Sequence, residues 1–227
     1  MTTTLVTGAT RGLGKETARR LVAAGHTVWI GARDLAVGSR VAEELGARAV
    51  QLDVRDDDSV TAAFATVSAD GGLDVLVNNA GIGADARSGP EALAVFDTNA
   101  VGIVRTTEAA LPLLRRSDAP IVVNLASALG SFAANHDPAK PASQYQAIVY
   151  GASKAAVSML TVQYARAVPE VRFVAVEPGY TDTGFGRVEN PHGRPVAVSA
   201  ATVAAVADAG AQAPTGVLLE DGAPLGW

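Results

Sequence analysis

Thr7-Gly8-Ala9-Thr10-Arg11-Gly12-Leu13-Gly14 is the stretch on which the fold is read. It follows a short apolar run at 3–7 and leads into a helical pattern at 13–24, so its glycines sit at a strand-to-helix turn. Glycines let backbone amides approach a pyrophosphate, and the following helix start presents unpaired N–H groups and positive dipole to it. The spacing is Gly-x-x-x-Gly-x-Gly, not Gly-x-Gly-x-x-Gly, and no Gly-Lys-Ser/Thr ending marks a triphosphate loop. Taken alone, three glycines in a tight turn would look the same.

Outward from this turn, apolar runs recur at 27–31, 48–52, 73–78, 120–125, 172–176 and 216–219. They are rich in Val, Ile and Leu without polar alternation, as strands covered on both faces are. Helical patterns lie between them at 35–45, 56–69, 90–115 with a break near 99–102, 150–167 and 197–211. Asp56-Asp57-Asp58-Ser59 reads as a helix start, where unpaired amides and the dipole favour acids and a capping side chain. The alternation predicts an α/β fold with a parallel sheet; with the glycine turn at its first strand-to-helix junction it is read as a Rossmann-type, doubly wound, three-layer αβα arrangement of seven strands, in the order 3-2-1-4-5-6-7 of such dinucleotide-binding sheets. No linker or repeat divides the chain, so residues 1–227 are read as one domain. Residues 131–146 and 181–195 read as long loops.

Composition narrows the functions. With 227 residues, 48% hydrophobic, 18% charged and 5% aromatic, the chain is too apolar for global disorder. A net charge of -5 offers no basic surface for a phosphate backbone, so no nucleic-acid partner is expected. No cysteine is present for a thiolate metal site or a thiol nucleophile, and His26, His136 and His192 are too far apart for a local metal motif. No metal is expected, and the histidines read as solvent-facing or loop residues. Neither a secretory leader nor an apolar run of membrane-spanning length is seen, which predicts a cytoplasmic protein with no membrane partner.

The second strand ends in Gly31-Ala32-Arg33. In a dinucleotide-binding unit an acid here accepts from the adenosine ribose 2′-hydroxyl, whereas an arginine suits a 2′-phosphate. Ala32 offers no repelling carboxylate and Arg33 offers a bidentate guanidinium, so NADP(H) is expected in preference to NAD(H). Arg11 is placed to add a second positive group, or to be a solvated loop arginine.

Further on come Asn78-Asn79-Ala80-Gly81, Asn99, Ser127 and Tyr150-Gly-Ala-Ser-Lys154. Four residues apart on a helix, Tyr150 and Lys154 are neighbours on one face. A tyrosine ordinarily titrates near 10, too high for efficient transfer at neutral pH. A nearby ammonium and a helix N-terminus are expected to lower it, making Tyr150 a general acid or base. Ser127, at the carboxyl end of a strand, can donate to a carbonyl oxygen as charge develops there.

In order and spacing these motifs resemble the short-chain dehydrogenase/reductase family, in its short single-domain branch, from Thr7 through Gly179. The resemblance implies NADPH-dependent reduction of a ketone or aldehyde to an alcohol. It implies Tyr150 as proton donor, Ser127 as substrate orienter, Lys154 on the nicotinamide ribose and Asn99 holding a water in a proton relay, although an asparagine that merely breaks a helix would look alike. It places Gly8, Thr10, Gly12, Leu13 and Gly14 around the pyrophosphate, with Arg11 beside Arg33 toward the 2′-phosphate, Asp53 and Val54 at the adenine and Asn79, Ala80 and Gly81 along the riboses. Pro178 and Gly179 turn under the nicotinamide, with Thr181 and Thr183 on its carboxamide or the pyrophosphate. A small carbonyl or alcohol substrate is the implied partner.

Two features depart from the pattern. The gap from Ser127 to Tyr150 is about twice the family's common one, an insertion carbonyl reductases share; its extra residues within 131–146 are expected to cover the active-site mouth or alter the pairing surface. A homo-oligomer is implied by the family, and the insertion leaves a monomer open. The 184–196 stretch is short for a lid and predicts an open pocket, and the ending at 214–227 is carbonyl reductase-like. A nucleotide-sensing regulator without chemistry is the rival reading, and an epimerase or dehydratase would need a longer carboxyl-terminal region. Arg33→Ala is expected to raise the apparent KM for NADPH far more than that for NADH in steady-state kinetics; equal changes would remove the 2′-phosphate contact.

Overall fold

The computed structural model describes residues 2–83, 86–182 and 193–227. Its centre is one sheet in the order 3-2-1-4-5-6-7-8. The parallel strands are β1 (Thr3–Thr7), β2 (Thr27–Ala32), β3 (Arg48–Gln51), β4 (Val75–Asn78), β5 (Ile121–Leu125), β6 (Arg172–Glu177) and β7 (Val217–Glu220). The expected order of seven holds, and an eighth strand is added: β8 (Ala223–Pro224) returns antiparallel to β7. Two residues carry too little pattern to be read as a strand, and the turn before them is made by Asp221 and Gly222, both at positive φ.

Side chains alternate across the sheet and build a core on each face. Val6, Val28, Ile30 and Val77 pack with Ala18, Leu21 and Val203 on one side, where α1 (Gly12–Ala23), α2 (Leu35–Leu45) and α8 (Val196–Asp208) lie. Leu5, Leu76, Val122 and Phe173 pack with Phe64 and Leu111 on the other, under α3 (Asp57–Ala69) and α5 (Gly102–Leu114). Burial on both faces explains why these strands show no polar alternation. His26, expected at the surface, is buried and joins Thr4 Oγ1 at 2.8 Å to Asp208 Oδ1 at 2.9 Å. His192 lies outside the described residues.

The 90–115 pattern resolves into α4 (Gly89–Phe96), a π-helical turn (Asp97–Val101) and α5. The break near 99–102 is therefore a widened turn inside a continuous rod. The expected loop at 131–146 is partly helical: a 3-10 turn at Ala128–Gly130 runs into α6 (Phe132–His136), and a second follows at Pro141–Gln144. Ser131 starts α6 by accepting from Ala134 N at 2.9 Å, a side-chain cap in a stretch too short to show periodicity. The inserted residues are anchored to the carboxyl-terminal segment. Ala133 N donates to Trp227 O at 2.9 Å, Ser131 Oγ to Gly226 O at 2.5 Å, and Lys140 Nζ to Glu220 at 2.6 Å.

The long helix α7 (Ile148–Ala167) is fixed against the sheet by a polar chain and by close backbone approach. Thr106 Oγ1 on α5 donates to Asn78 Oδ1 at 2.7 Å, Asn78 Nδ2 to Asn124 Oδ1 at 2.9 Å, and Asn124 Nδ2 to Thr161 Oγ1 on α7 at 2.9 Å. All four are buried, so losing one leaves a partner unsatisfied at a cost of about 1–3 kcal/mol. A Cβ at Gly130 would sit 2.5 Å from backbone atoms of Lys154 and Ala155, so only glycine lets the Ser127 turn rest on α7. Gly130→Ala is expected to cost about 2 kcal/mol or more, lowering Tm by about 4–8 °C in a chain of this size when measured by thermal unfolding.

Candidate functional site

The carboxyl ends of β1, β4, β5 and β6 deliver the candidate residues to one edge of the sheet. At β1 the chain enters the glycine turn, where Gly8 has φ +64° and a Cβ would come 2.9 Å from Ala80 Cα. A Cβ at Gly14 would come 2.3 Å from Asn79 Nδ2, which instead donates to Thr7 O at 2.8 Å and Gly8 O at 3.2 Å. Thr7 Oγ1 accepts from the backbone of Asn79 at 3.0 Å and Ala80 at 2.9 Å. Buried Thr7 thus joins the glycine turn to Asn79-Ala80-Gly81. Sequence reasoning missed its role, since a threonine ending a strand carries no motif.

Helix α1 begins differently from α2, α3 and α4. Arg11, in extended conformation, precedes it without a side-chain cap, and no acid stands in its first turn. By contrast α2, α3 and α4 are capped by Asp34, Asp56 and Ser88. Amides at the first turn of α1 have no intrahelical acceptor, which together with the dipole suits a phosphate. Leu13 and Thr10 are partly exposed beside them. Arg11 and Arg33 are both exposed. Asp53, following β3, accepts from Arg55 N at 3.0 Å. Desolvation pushes its carboxyl up, but Arg55 and, more weakly, Arg33 outweigh that and hold it below the ordinary range. Val54 is buried next to it. These groups fit an adenosine phosphate end.

The chemical end forms where α7 faces β5 and β6. Lys154 is 5% exposed, and its Nζ donates to Leu125 O at 2.6 Å and lies 5.7 Å from the Tyr150 ring centroid. Ser127 caps the 3-10 turn, accepting from Leu129 N at 3.2 Å, and its hydroxyl is hydrogen-bonded to the Tyr150 phenol. Ser127, Tyr150 and Lys154 are thereby brought together. Gly81 joins them, since a Cβ there would lie 3.9 Å from Lys154 Nζ.

Asn99 is held by protein on every side. Its Nδ2 donates to Ile82 O at 2.9 Å and Ser153 Oγ at 3.0 Å, and its Oδ1 accepts from Ile82 N at 2.8 Å. It lies in the π-turn, ties the segment after β4 to α7 and is 1% exposed. Pro178 and Gly179 follow β6, with Gly179 at φ +78°. Thr181 Oγ1 donates to Gly179 O at 2.7 Å and contacts Ser199 Oγ at 2.6 Å. Thr183 lies outside the described residues, as does most of the stretch read as a short lid.

One expectation is reversed. The phenol is not lowered on balance: desolvation pushes Tyr150 above the ordinary tyrosine range, Glu177 adds to that, and the Ser127 hydrogen bond opposes. Lys154 itself is brought down to about 8 by desolvation, with Glu177 opposing. Burial, invisible in a four-residue spacing, dominates both. Glu177, at the end of β6, is a second residue that sequence reasoning left without a role; an acid in an apolar strand was the available signal.

Residues 2–193 match the family described as short chain dehydrogenase. The chain is 32% identical over 202 residues to short-chain dehydrogenase anuI of Penicillium roqueforti, covering 80% of this chain and 79% of that protein. It is 35% identical over 191 residues to the 3-oxoacyl-[acyl-carrier-protein] reductase FabG of Staphylococcus aureus, covering 78% and 73%. Among solved structures, NADPH-bound carbonyl reductase from chicken fatty liver superposes with a TM-score of 0.87 at 27% identity, over 99% of this chain and 98% of that one. A match over that span, on a sheet of this order with Ser127, Tyr150 and Lys154 converging at its carboxyl edge, makes this chain a member of the short-chain dehydrogenase family.

Proposed function

We propose that the protein reduces a small ketone or aldehyde to an alcohol with NADPH, in preference to NADH, and that the same groups serve the reverse oxidation. The observation that carries this reading is the convergence of the Ser127 hydroxyl, the Tyr150 phenol and the Lys154 ammonium beside Gly81, one strand away from the glycine turn. The NADPH-bound carbonyl reductase that superposes on this chain supports the cofactor, and Arg11 and Arg33 at the adenosine end support its phosphorylated form. The proposed substrate is a small molecule, and the reaction is assigned to the cytoplasm.

Gly8, Thr10, Gly12, Leu13 and Gly14 would hold the pyrophosphate, Asp53 and Val54 the adenine, and Asn79, Ala80 and Gly81 the riboses. Pro178, Gly179, Thr181 and Thr183 would line the nicotinamide end. The cofactor, when bound, supplies a hydride to the carbonyl carbon. Ser127 donates a hydrogen bond to the carbonyl oxygen and orients it. As the carbon–oxygen π bond opens onto oxygen, Tyr150 releases its proton to that oxygen, leaving a phenolate and an alcohol. Lys154, an ammonium below about 8, stabilises that phenolate and donates to the ribose hydroxyls. Asn99 keeps Ile82 and Ser153 in register, and Ser153 Oγ donates to Tyr150 O at 2.7 Å, which sets the first turn of α7. Desolvation keeps the phenol protonated in the free site, the state from which the reductive direction starts, and the Ser127 hydrogen bond eases the transfer that the raised pKa resists.

Tyr150→Phe is expected to abolish turnover of a reactive ketone, by about a thousandfold or more for loss of the general acid, while NADPH still binds in a fluorescence titration. Wild-type rates in that variant would remove the assigned acid. The pH profile is a second check. The free enzyme loses the Lys154 proton as pH rises through about 8, so kcat/KM for reduction should be level below that value and fall above it.

A further inference from the structure

Glu177 is the acid whose charge bears on both Tyr150 and Lys154, and no role has yet been assigned to it. It is 6% exposed at the carboxyl end of β6. Register places it directly beside Glu220 of β7, a like-charged neighbour whose own partner is Lys140 at 2.6 Å. Burying a carboxylate beside another is costly, and like charges on opposed strand positions destabilise a sheet. Among the described residues no lysine or arginine forms an ion pair with Glu177; its hydrogen bonds are to backbone. One carboxylate oxygen accepts from Ala128 N and the other from Gly179 N at 2.6 Å. Ala128 follows Ser127, and Gly179 is in the turn expected beneath the nicotinamide. One side chain thus spans the two loops whose separation fixes where a carbonyl would lie relative to the hydride donor.

We propose that Glu177 is a positioning residue of this site, clamping the Ser127 turn to the Pro178-Gly179 turn and bringing its buried carboxyl group to bear on Tyr150 and Lys154. The charge disfavours the phenolate and favours the ammonium. Four titratable or charged groups face it: Tyr150 and Lys154 from α7, Glu220 from β7, and Arg194 from the segment before α8. Burial and Glu220 push the Glu177 carboxyl above the ordinary range, while the two N–H donors and Lys154 act against them. The kinetic part of this proposal rests on the reductase reading; the titration part does not.

Two readouts separate them. Carbon-13 at tyrosine Cζ, with the Tyr150 signal assigned by its absence in Tyr150→Phe, follows the phenol without substrate. In Glu177→Gln, which keeps the size and loses the charge, Tyr150 should titrate about one pH unit lower. In turnover, kcat for ketone reduction should drop about tenfold or more from the broken clamp, and the alkaline fall of kcat/KM should move to lower pH. Glu177→Asp, charged but one carbon shorter, should restore the phenol titration and not kcat. A merely structural residue would lower kcat without moving either pH profile, and an unchanged Tyr150 titration in folded Glu177→Gln overturns the proposal. If that variant does not fold, wild-type protein decides: the Tyr150 Cζ signal must inflect at the pH where the Glu177 Cδ signal titrates, and its failure to do so is equally fatal. Wild-type protein inactive on every carbonyl offered would sink the reductase reading alone.

Discussion

A lysine head group sealed inside the protein is the constraint around which the rest of the site is arranged. Removing an ammonium from water costs several kcal/mol unless its donors are met. Lys154 meets part of that cost with the carbonyl of Leu125, the face of the Tyr150 ring and the charge of Glu177, and the remainder shows as an ammonium that gives up its proton at about 8. Each of those partners belongs to a different element, so the ammonium ties β5, α7 and β6 into one geometry. Gly130 is part of the same requirement, because the turn that carries Ser127 reaches Lys154 only if the backbone there has no side chain.

The sheet supplies a second layer of rigidity. Asn78 and Asn124 are opposite one another on β4 and β5, and their amides continue into Thr106 and Thr161 on the helices of one face. A fully satisfied polar chain of this kind has only one register at which it closes, and any slip leaves an amide unpaired in an apolar interior. Thr7 does the same work one strand over, where its hydroxyl receives two amides of the Asn79-Ala80 turn. The glycine turn, the Asn-Asn-Ala-Gly segment and the Ser127 turn are thus three loops held by side chains planted on strands, as expected where binding groups sit on a rigid scaffold.

Electrostatics at this edge run against the expectation drawn from spacing. A cation one helical turn from a tyrosine ought to favour the phenolate, yet both groups are shifted toward their neutral forms, since the packing that brings them together desolvates the buried Lys154 and the partly buried Tyr150 alike. The inserted residues, read as a loop, fold instead into short helical pieces pinned to Glu220, Gly226 and Trp227. Their last aromatic, Tyr145, meets Tyr180 at 5.4 Å between ring centroids, so the insertion touches the rim next to the Pro178-Gly179 turn.

By itself the sequence determined the layered α/β fold and the places of the glycine turn, Ser127, Tyr150 and Lys154, because these depend on local pattern: apolar runs of strand length, glycines between strand and helix, and a spacing of one helical turn; the strand order followed only from the type of fold those patterns specify. Tertiary structure alone decided the two-residue β8, the π-turn holding Asn99, the helical folding of the insertion, the burial of His26 and the roles of Thr7 and Glu177. Those depend on which groups meet across the sheet and on how much water is left around them. Such quantities arise from contacts between residues far apart in the chain, and no window of sequence contains them.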